Sequence, residues 1–531
     1  MTDYAALVRR ALDPDSGPEF DRRVRRQGDR LADAIEAGAF DNEAFTLGLE
    51  LEVYAVDDDG RLAPIPEDVF EGPAAKELGV HNAELNAPAT RFDADGIAEQ
   101  ARRLERDLRA TRERAREHGL EVALDAMWTV PPAEGGHAYL DDVDVEGGTD
   151  DGGPGVPGSG EDDPVVVARN MRRDPRYGAL DNETVRRAGG SIPFEVPGAT
   201  LSFRTILFES LATSIQPHVQ VPDTDQFPQY HNLAVRTLGP LLALSTNSPF
   251  LPADCYDADP ETVLDEGNHE LRIAAFEQSM NQGARKVCLP EDIETPGDVV
   301  EHVVADETFG PFLREWVDDD ADAGGADEEP DGPVHVDDCW EFDYKRGTFW
   351  RWVRGVVCGS AVEGACDERS VRIEYRPLPT QPTVRDTVGL QALTAGLLCG
   401  LVAADHPLAD LNWASAERSF YAAAEDGLDA DLAWVTADGE RTDDADRIFE
   451  EVFAYARRGL DEQGVPADLQ DRCLDPIEAR RERGLSPSVW KRRRVREALD
   501  EGATLAEAFE SMQREYVRLS REHDTFADWL D

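Results

Sequence analysis

Lysine is almost missing from this chain. Among 531 residues it stands only at positions 76, 286, 345 and 491, so nearly all of the 54 basic residues are arginine. Against them stand 110 Asp and Glu, which leaves a net charge of −56. Such a molecule repels phosphate-rich and anionic surfaces, so neither nucleic acid nor a membrane is an expected partner. Long apolar runs are also lacking. None reaches 18 residues, and the opening MTDYAALVRRALDPD has no apolar signal core. The cysteines (255, 288, 339, 358, 366, 399 and 473) are odd in number and form no C-x-x-C, which predicts reduced thiols in a cytoplasmic protein. No G-x-x-x-x-G-K-[ST] and no H-E-x-x-H occurs. Gly153 to Gly158 fits G-x-G-x-x-G by spacing, but it lies in an acidic stretch with two prolines and reads as chance.

What is present argues for a large folded core. Hydrophobic residues make up 41% and aromatics 8%, too much for a disordered acidic chain. Two stretches, 141–163 and 317–333, hold little but acids, Gly, Pro and small residues. Neither buries enough apolar area to offset its ordering entropy, so both are expected as mobile insertions. Helical periodicity marks 97–118, 229–246 and 385–404, and Thr504 with Glu507 forms a T-x-x-E capping box. Residues 410–531 read as helix and turn.

Four segments alternate apolar with polar residues: FTLGLELEVYAVD (45–57), HNAELNAP (81–88), SIQPHVQV (214–221) and SVRIEYRPL (370–378). In a strand, residues two apart share a face. Glu50 and Glu52 therefore point one way, as do Glu84 and Asn86, His218 and Gln220, and Arg372, Glu374 and Arg376. An alternating acidic strand taken alone is usually a solvated face. Four such strands with their polar faces together would gather four carboxylates, an imidazole and two guanidiniums. Carboxylates so packed resist sharing a site unless a hard divalent cation joins them, and oxygen ligands suit Mg²⁺ or Mn²⁺. Arginine forks beside them suit phosphate oxygens. The combination describes phosphoryl transfer without a Walker loop.

These segments resemble the carboxylate–amine ligase family that includes the bacterial-type glutamate–cysteine ligases. The family's first strand, T-L-G-V-E-x-E-F, is matched by Thr46 to Val53, with Val56-Asp57 following. Glu84 to Pro88, His218 to Pro222, and Glu374-Tyr375-Arg376 resemble its later strands, and Leu241 to Phe250 matches its L-L-A-L-S-x-N-S-P-F turn. The resemblance implies an α+β, glutamine-synthetase-like fold: a curved, mainly antiparallel sheet with helices on its convex side. It implies a helical lead over 1–44, a catalytic core over 45–410 with the two acidic insertions as loops, and a helical region over 411–531 on the same unit. It further implies ATP and Mg²⁺ (or Mn²⁺) as cofactors, with small-molecule acid and amine substrates. Glu50, Glu52, Glu84, Glu374 and His218 would hold metal. Arg372, Arg376 and Arg354 would contact nucleotide, and Glu374 and Arg376 would act in catalysis.

Arg354 is read either as a nucleotide or substrate contact or as a surface ion pair, and Arg272 as a further basic candidate at a helix entry. Leu51, Gln220 and Pro222 depart from the family's usual acid, His and Gly. The implied activity is ATP-dependent joining of the glutamate side-chain carboxylate to an amine such as cysteine. Its alternatives are a same-fold ligase or guanidino kinase with other substrates, and an inactive ATP- and metal-binding protein. No oligomeric state follows from the sequence.

The charge balance carries its own expectation. At about 1 M salt the Debye length is only ~3 Å, so repulsion between surface acids is screened. A halophile's salt-requiring protein is the reading. Unfolding should be harder in molar than in millimolar KCl, and equal stability in both would contradict it.

Overall fold

The computed structural model describes residues 4–147, 155–160, 162–317, 334 and 336–530. All of the acidic stretch 317–333 except Val317 lies outside the described residues, as do Gly153 and Pro154 of the glycine-rich motif. Within 141–163, residues Val143–Glu146 form a strand paired with Val165–Ala168, so that part of the expected insertion is ordered β structure. The apolar run Val165-Val166-Val167 supplies the buried partner that the acidic segment itself lacks.

One seven-stranded sheet organises the molecule. Its strands are β1 (Thr46–Val56), β2 (Ala74–Lys76), β3 (Asn82–Arg91), β4 (Glu121–Ala123), β5 (Ile215–Val221), β6 (Val353–Val357) and β7 (Val371–Tyr375). The order is β6-β7-β5-β1-β3-β2, with β4 beside the end of β1, and every pairing is antiparallel. Alternation decides the faces. Leu47, Leu49, Leu51 and Val53 of β1, with Val219, Ile373 and Tyr375, are fully buried. They meet a helical layer that includes α1 (Ala94–Glu117), α2 (Phe227–Ser245) and α3 (Val384–Ala403). Burying one such branched side chain is worth about 1.5–3 kcal/mol, so a one-residue slip of register would expose this set and bury the acids instead.

Helix α3 is long and apolar enough to cross a membrane, yet 89% of that stretch is buried inside the fold. Its neighbour is the helix Ala445–Glu462, and glycines set the contact. A Cβ on Gly400 would lie 1.8 Å from the Tyr455 carbonyl oxygen, and one on Gly459 would lie 1.9 Å from that of Gly396. Further along, Arg480 bonds Asp386 of α3 at 2.7 Å, both groups fully buried. A second apolar cluster ties Phe250, Val263 and Leu264 to Trp490, Phe509 and Tyr516. Thr504 and Glu507 form the capping box at the start of Leu505–Glu522.

The scarce lysines are placed with purpose. Three of the four, Lys286, Lys345 and Lys491, are buried, and each faces a carboxylate: Asp306, Asp21 and Asp125 respectively. A buried ammonium without its counter-charge is strongly unfavourable, which explains why each of the three is paired with an acid, while Lys76 stays exposed beside Glu67.

Candidate functional site

The face of the sheet opposite the helices carries the acids. Strand register sets them in rows. Arg354 lies opposite Glu374, Glu374 opposite His218, and His218 opposite Gly48. On one side of that row Gln216 faces Glu50, Glu50 faces Asn86, and Glu52 faces Glu84. On the other side Arg372 faces Gln220, which faces Thr46. Directly opposed side chains in a sheet are about 4.5–5.5 Å apart at Cβ, so these groups must interact.

They resolve into two groups. In one, ligand atoms of Glu50, His218 and Glu374 lie within 4.8 Å of one another; in the other, those of Glu52, Glu77 and Glu84 do. The first is balanced by bases. Arg354 grips both oxygens of Glu374, Nε to Oε2 at 3.0 Å and Nη2 to Oε1 at 2.9 Å, and Arg376 donates to the same carboxylate. Burial opposes the charge on Glu374, but Arg354 and Arg376 overcome it and hold its carboxyl well below the usual range. Burial likewise opposes Glu50, and the His218 imidazole outweighs it, leaving Glu50 lowered.

The second group has no such balance. Burial and Glu84 push Glu52 up to about 7. Burial, Glu50 and Glu77 push Glu84 up to about 8, and burial with Glu52 pushes Glu77 to about 8. Arg272 offsets Glu52 in part, but its guanidinium is buried behind the sheet's acids and donates to the Pro377 carbonyl at 2.9 Å. Three hard oxygen donors within reach of one another, each reluctant to ionise, fit a divalent cation. Ser214 N–H and the Asn86 amide fix the orientation of Glu52 and Glu84 at 2.7 and 2.6 Å.

The second group and Glu50 of the first border one cavity of about 340 Å³, lined also by Arg354 and Arg376. Tyr177, Tyr344 and Trp350 give it aromatic walls, with Arg176 and Glu209 at the side. Among the described residues Arg376 donates through Nη1 alone, to Glu374 and to Gln216 at 2.7 Å, and it lines the cavity.

Several expectations change. Arg354 is no surface ion pair, since it is 8% exposed and locked to Glu374. Arg372 does not share the cavity with Arg376. Four residues of strand span about 13 Å, and Arg372 borders a separate chamber with Gln220, Thr46 and the far side of Glu50. There its Nε donates to His218 Nδ1 at 3.1 Å. That contact makes Nδ1 an acceptor, so a neutral ring carries its proton on Nε2, 3.4 Å from Glu50. As arranged, Nε2 is buried near Glu50 without a hydrogen bond, and metal ligation through it would require the Arg372 contact to break. Sequence reasoning missed Glu77, which follows the short β2 without alternation, and Gln216, whose place two residues before His218 was legible.

The sequence model of glutamate-cysteine ligase family 2 (GCS2) matches residues 46–522. That span is most of the chain, and the chain belongs to this family. Among solved structures, a glutamate–cysteine ligase from Francisella tularensis in complex with AMP is 14% identical, with 91% of this chain and 90% of that one covered at TM-score 0.49. A bifunctional glutathione synthetase from Pasteurella multocida is 15% identical at TM-score 0.46, and this chain spans 55% of its length. The ligase PafA in complex with the ubiquitin-like protein Pup is 11% identical at TM-score 0.36, with 91% and 80% covered. A search of curated proteins finds no match.

The three raised carboxylates set a pH dependence. Each binds its proton more tightly folded than unfolded, so their contribution to stability is full below the unfolded value and lost as pH rises through about 7–8. Chelator-treated protein should therefore melt at lower temperature as pH rises from about 5 to about 8, and saturating Mg²⁺ should remove most of that fall. A melting profile that Mg²⁺ leaves unchanged at every pH would contradict the cation site.

Proposed function

We propose that this member of the glutamate–cysteine ligase family joins the side-chain carboxylate of glutamate to an amine, such as that of cysteine, at the expense of ATP. The observation that supports this most is the shared cavity. It brings an acid triad short of counter-charge, Glu50 and Arg376 to one place. A carbon–nitrogen ligase must neutralise phosphate and activate a carboxylate, and acids paired with guanidinium donors serve both needs.

The bonds balance as follows. A carboxylate oxygen of the acid substrate attacks the terminal phosphorus, the bond to ADP breaks, and an acyl phosphate results. The amine nitrogen then attacks the acyl carbon, phosphate leaves, and the nitrogen sheds a proton. A divalent cation held by Glu52, Glu77 and Glu84 would neutralise phosphate oxygens. Arg376 lines the cavity with Nε and Nη2 unbonded among the described residues, and these donors would stabilise charge on the transferred group. Arg354 acts behind it: by holding Glu374 it fixes the anion that orients Arg376. Tyr177 and Trp350 line the cavity and supply aromatic surface suited to a nucleotide base, whereas the Tyr344 ring is already taken up by Trp340 and Arg176.

The assay is ADP release with glutamate and cysteine, in molar KCl with Mg²⁺. Arg376→Ala and Glu52→Gln should each lower turnover by about 10²–10³ with melting temperature near that of wild type. Glu374→Gln is the wrong probe, because it strips the counter-charge from buried Arg354 and costs stability as well. Wild-type turnover in Arg376→Ala would remove the assignment. ADP release that depends on a different amine would keep the chemistry and replace cysteine.

A further inference from the structure

A second cavity, of about 410 Å³, opens on the helical side of the sheet, away from the acids. It is basic. Arg109, Arg112 and Arg116 of α1 border it with Arg385, Arg521 and His523. The acids beside them are Glu105 and Asp524, with Glu121 on β4. In a chain with 110 acids to 54 bases, such a gathering of arginines runs against composition.

Some of these bases are matched. Arg385 meets Asp524 at 3.0 Å, and Arg521 holds Glu121 through both Nη atoms at 3.0 and 2.7 Å. The three on α1 are not. Among the described residues no carboxylate lies within ion-pair distance of Arg109, Arg112 or Arg116, although acids abound on this surface. Arg112 spends only Nε, on the Val122 carbonyl of β4 at 3.1 Å. Burial first, then Arg521 and Arg116, push its guanidinium down to about 10, against the weaker pull of Glu121. Positions 109, 112 and 116 repeat at helical spacing, so the three forks share one face of α1 and repel one another. An oxyanion would reverse that repulsion. Guanidinium forks match phosphate oxygens two by two, and the cavity is roomier than a bare ion needs.

We propose that this cavity binds a phosphate-bearing anion at a site separate from the acid-lined one. Leu124, which lines it, directly follows β4, and β4 pairs with Tyr54, Ala55 and Val56 of β1, just beyond Glu52. The inference does not depend on the ligase reading.

The test is calorimetric titration of the full chain with inorganic phosphate and, separately, with glucose 6-phosphate, in molar KCl at fixed ionic strength. Wild type and Arg376→Ala should each bind one equivalent at this site. Arg112→Gln and Arg116→Gln should each weaken binding about tenfold or more, with ADP turnover in the absence of added phosphate unchanged. Tighter binding of the sugar phosphate would identify an organic ligand; equal affinity would identify inorganic phosphate. Should Arg112→Gln fold poorly, the exposed Arg109→Gln and Arg116→Gln pair gives the same reading. The proposal falls if neither probe binds, if the Gln variants bind as wild type does, or if Arg376→Ala alone abolishes binding.

Discussion

Two glutamates two residues apart on one buried strand pose the electrostatic problem that the rest of the site answers. Glu50 and Glu52 share a face of β1 because leucines 49 and 51 must reach the helices behind. The fold answers differently for each. Glu50 is given His218, with Glu374 and its two arginines in the adjoining rows. Glu52 is given more acid, Glu84 across the ladder and Glu77 beside it, which Arg272 and the Ser214 N–H offset only in part. A protein can tolerate the second arrangement when something positive from outside completes it. The division therefore separates a preformed charge network from the acid triad proposed to hold a cation.

The same economy runs through the whole molecule. With so few bases, those placed inside do specific jobs. Lys286, Lys345 and Lys491 each neutralise a buried or half-buried acid, Arg480 anchors the C-terminal helices to α3 through Asp386, and Arg354 locks Glu374. Such pairs are weak evidence for net stability, since desolvation offsets most of their attraction, but removing one partner is costly. They fix geometry more than they add free energy. Against that background, Arg109, Arg112 and Arg116 of α1 stand out as a group without an ion-pair partner among the described residues.

Much of this was legible in the sequence. Period-two alternation over 45–57, 81–88, 214–221 and 370–378 gave the strands that meet in the sheet, and with them the shared face of Glu50, Glu52, Glu84, His218 and Glu374. The capping box at Thr504 and the apolar helix from Val384 were readable for the same reason: their signals are local. What stayed hidden was long-range. Glu77 sits in an irregular segment, so no periodicity points its side chain anywhere. The capture of Glu374 by Arg354 depends on β6 and β7 pairing, and the donation from Arg372 to His218 depends on β5 lying between β7 and β1. Residues on one strand face also need not share a cavity: Arg372 and Arg376 look equivalent in sequence, yet the row of Glu374 and His218 stands between them.

The central claim is that the acids form a place for cations and are more than an acidic surface. Diffraction from crystals grown with Mn²⁺, read by its anomalous scattering, tests this most directly. A peak is expected about 2.1 Å from oxygens of Glu52, Glu77 and Glu84, at the short distances of hard-cation coordination. A map with no manganese in the cavity, or with Glu77 and Glu84 turned away from Glu52, would contradict it.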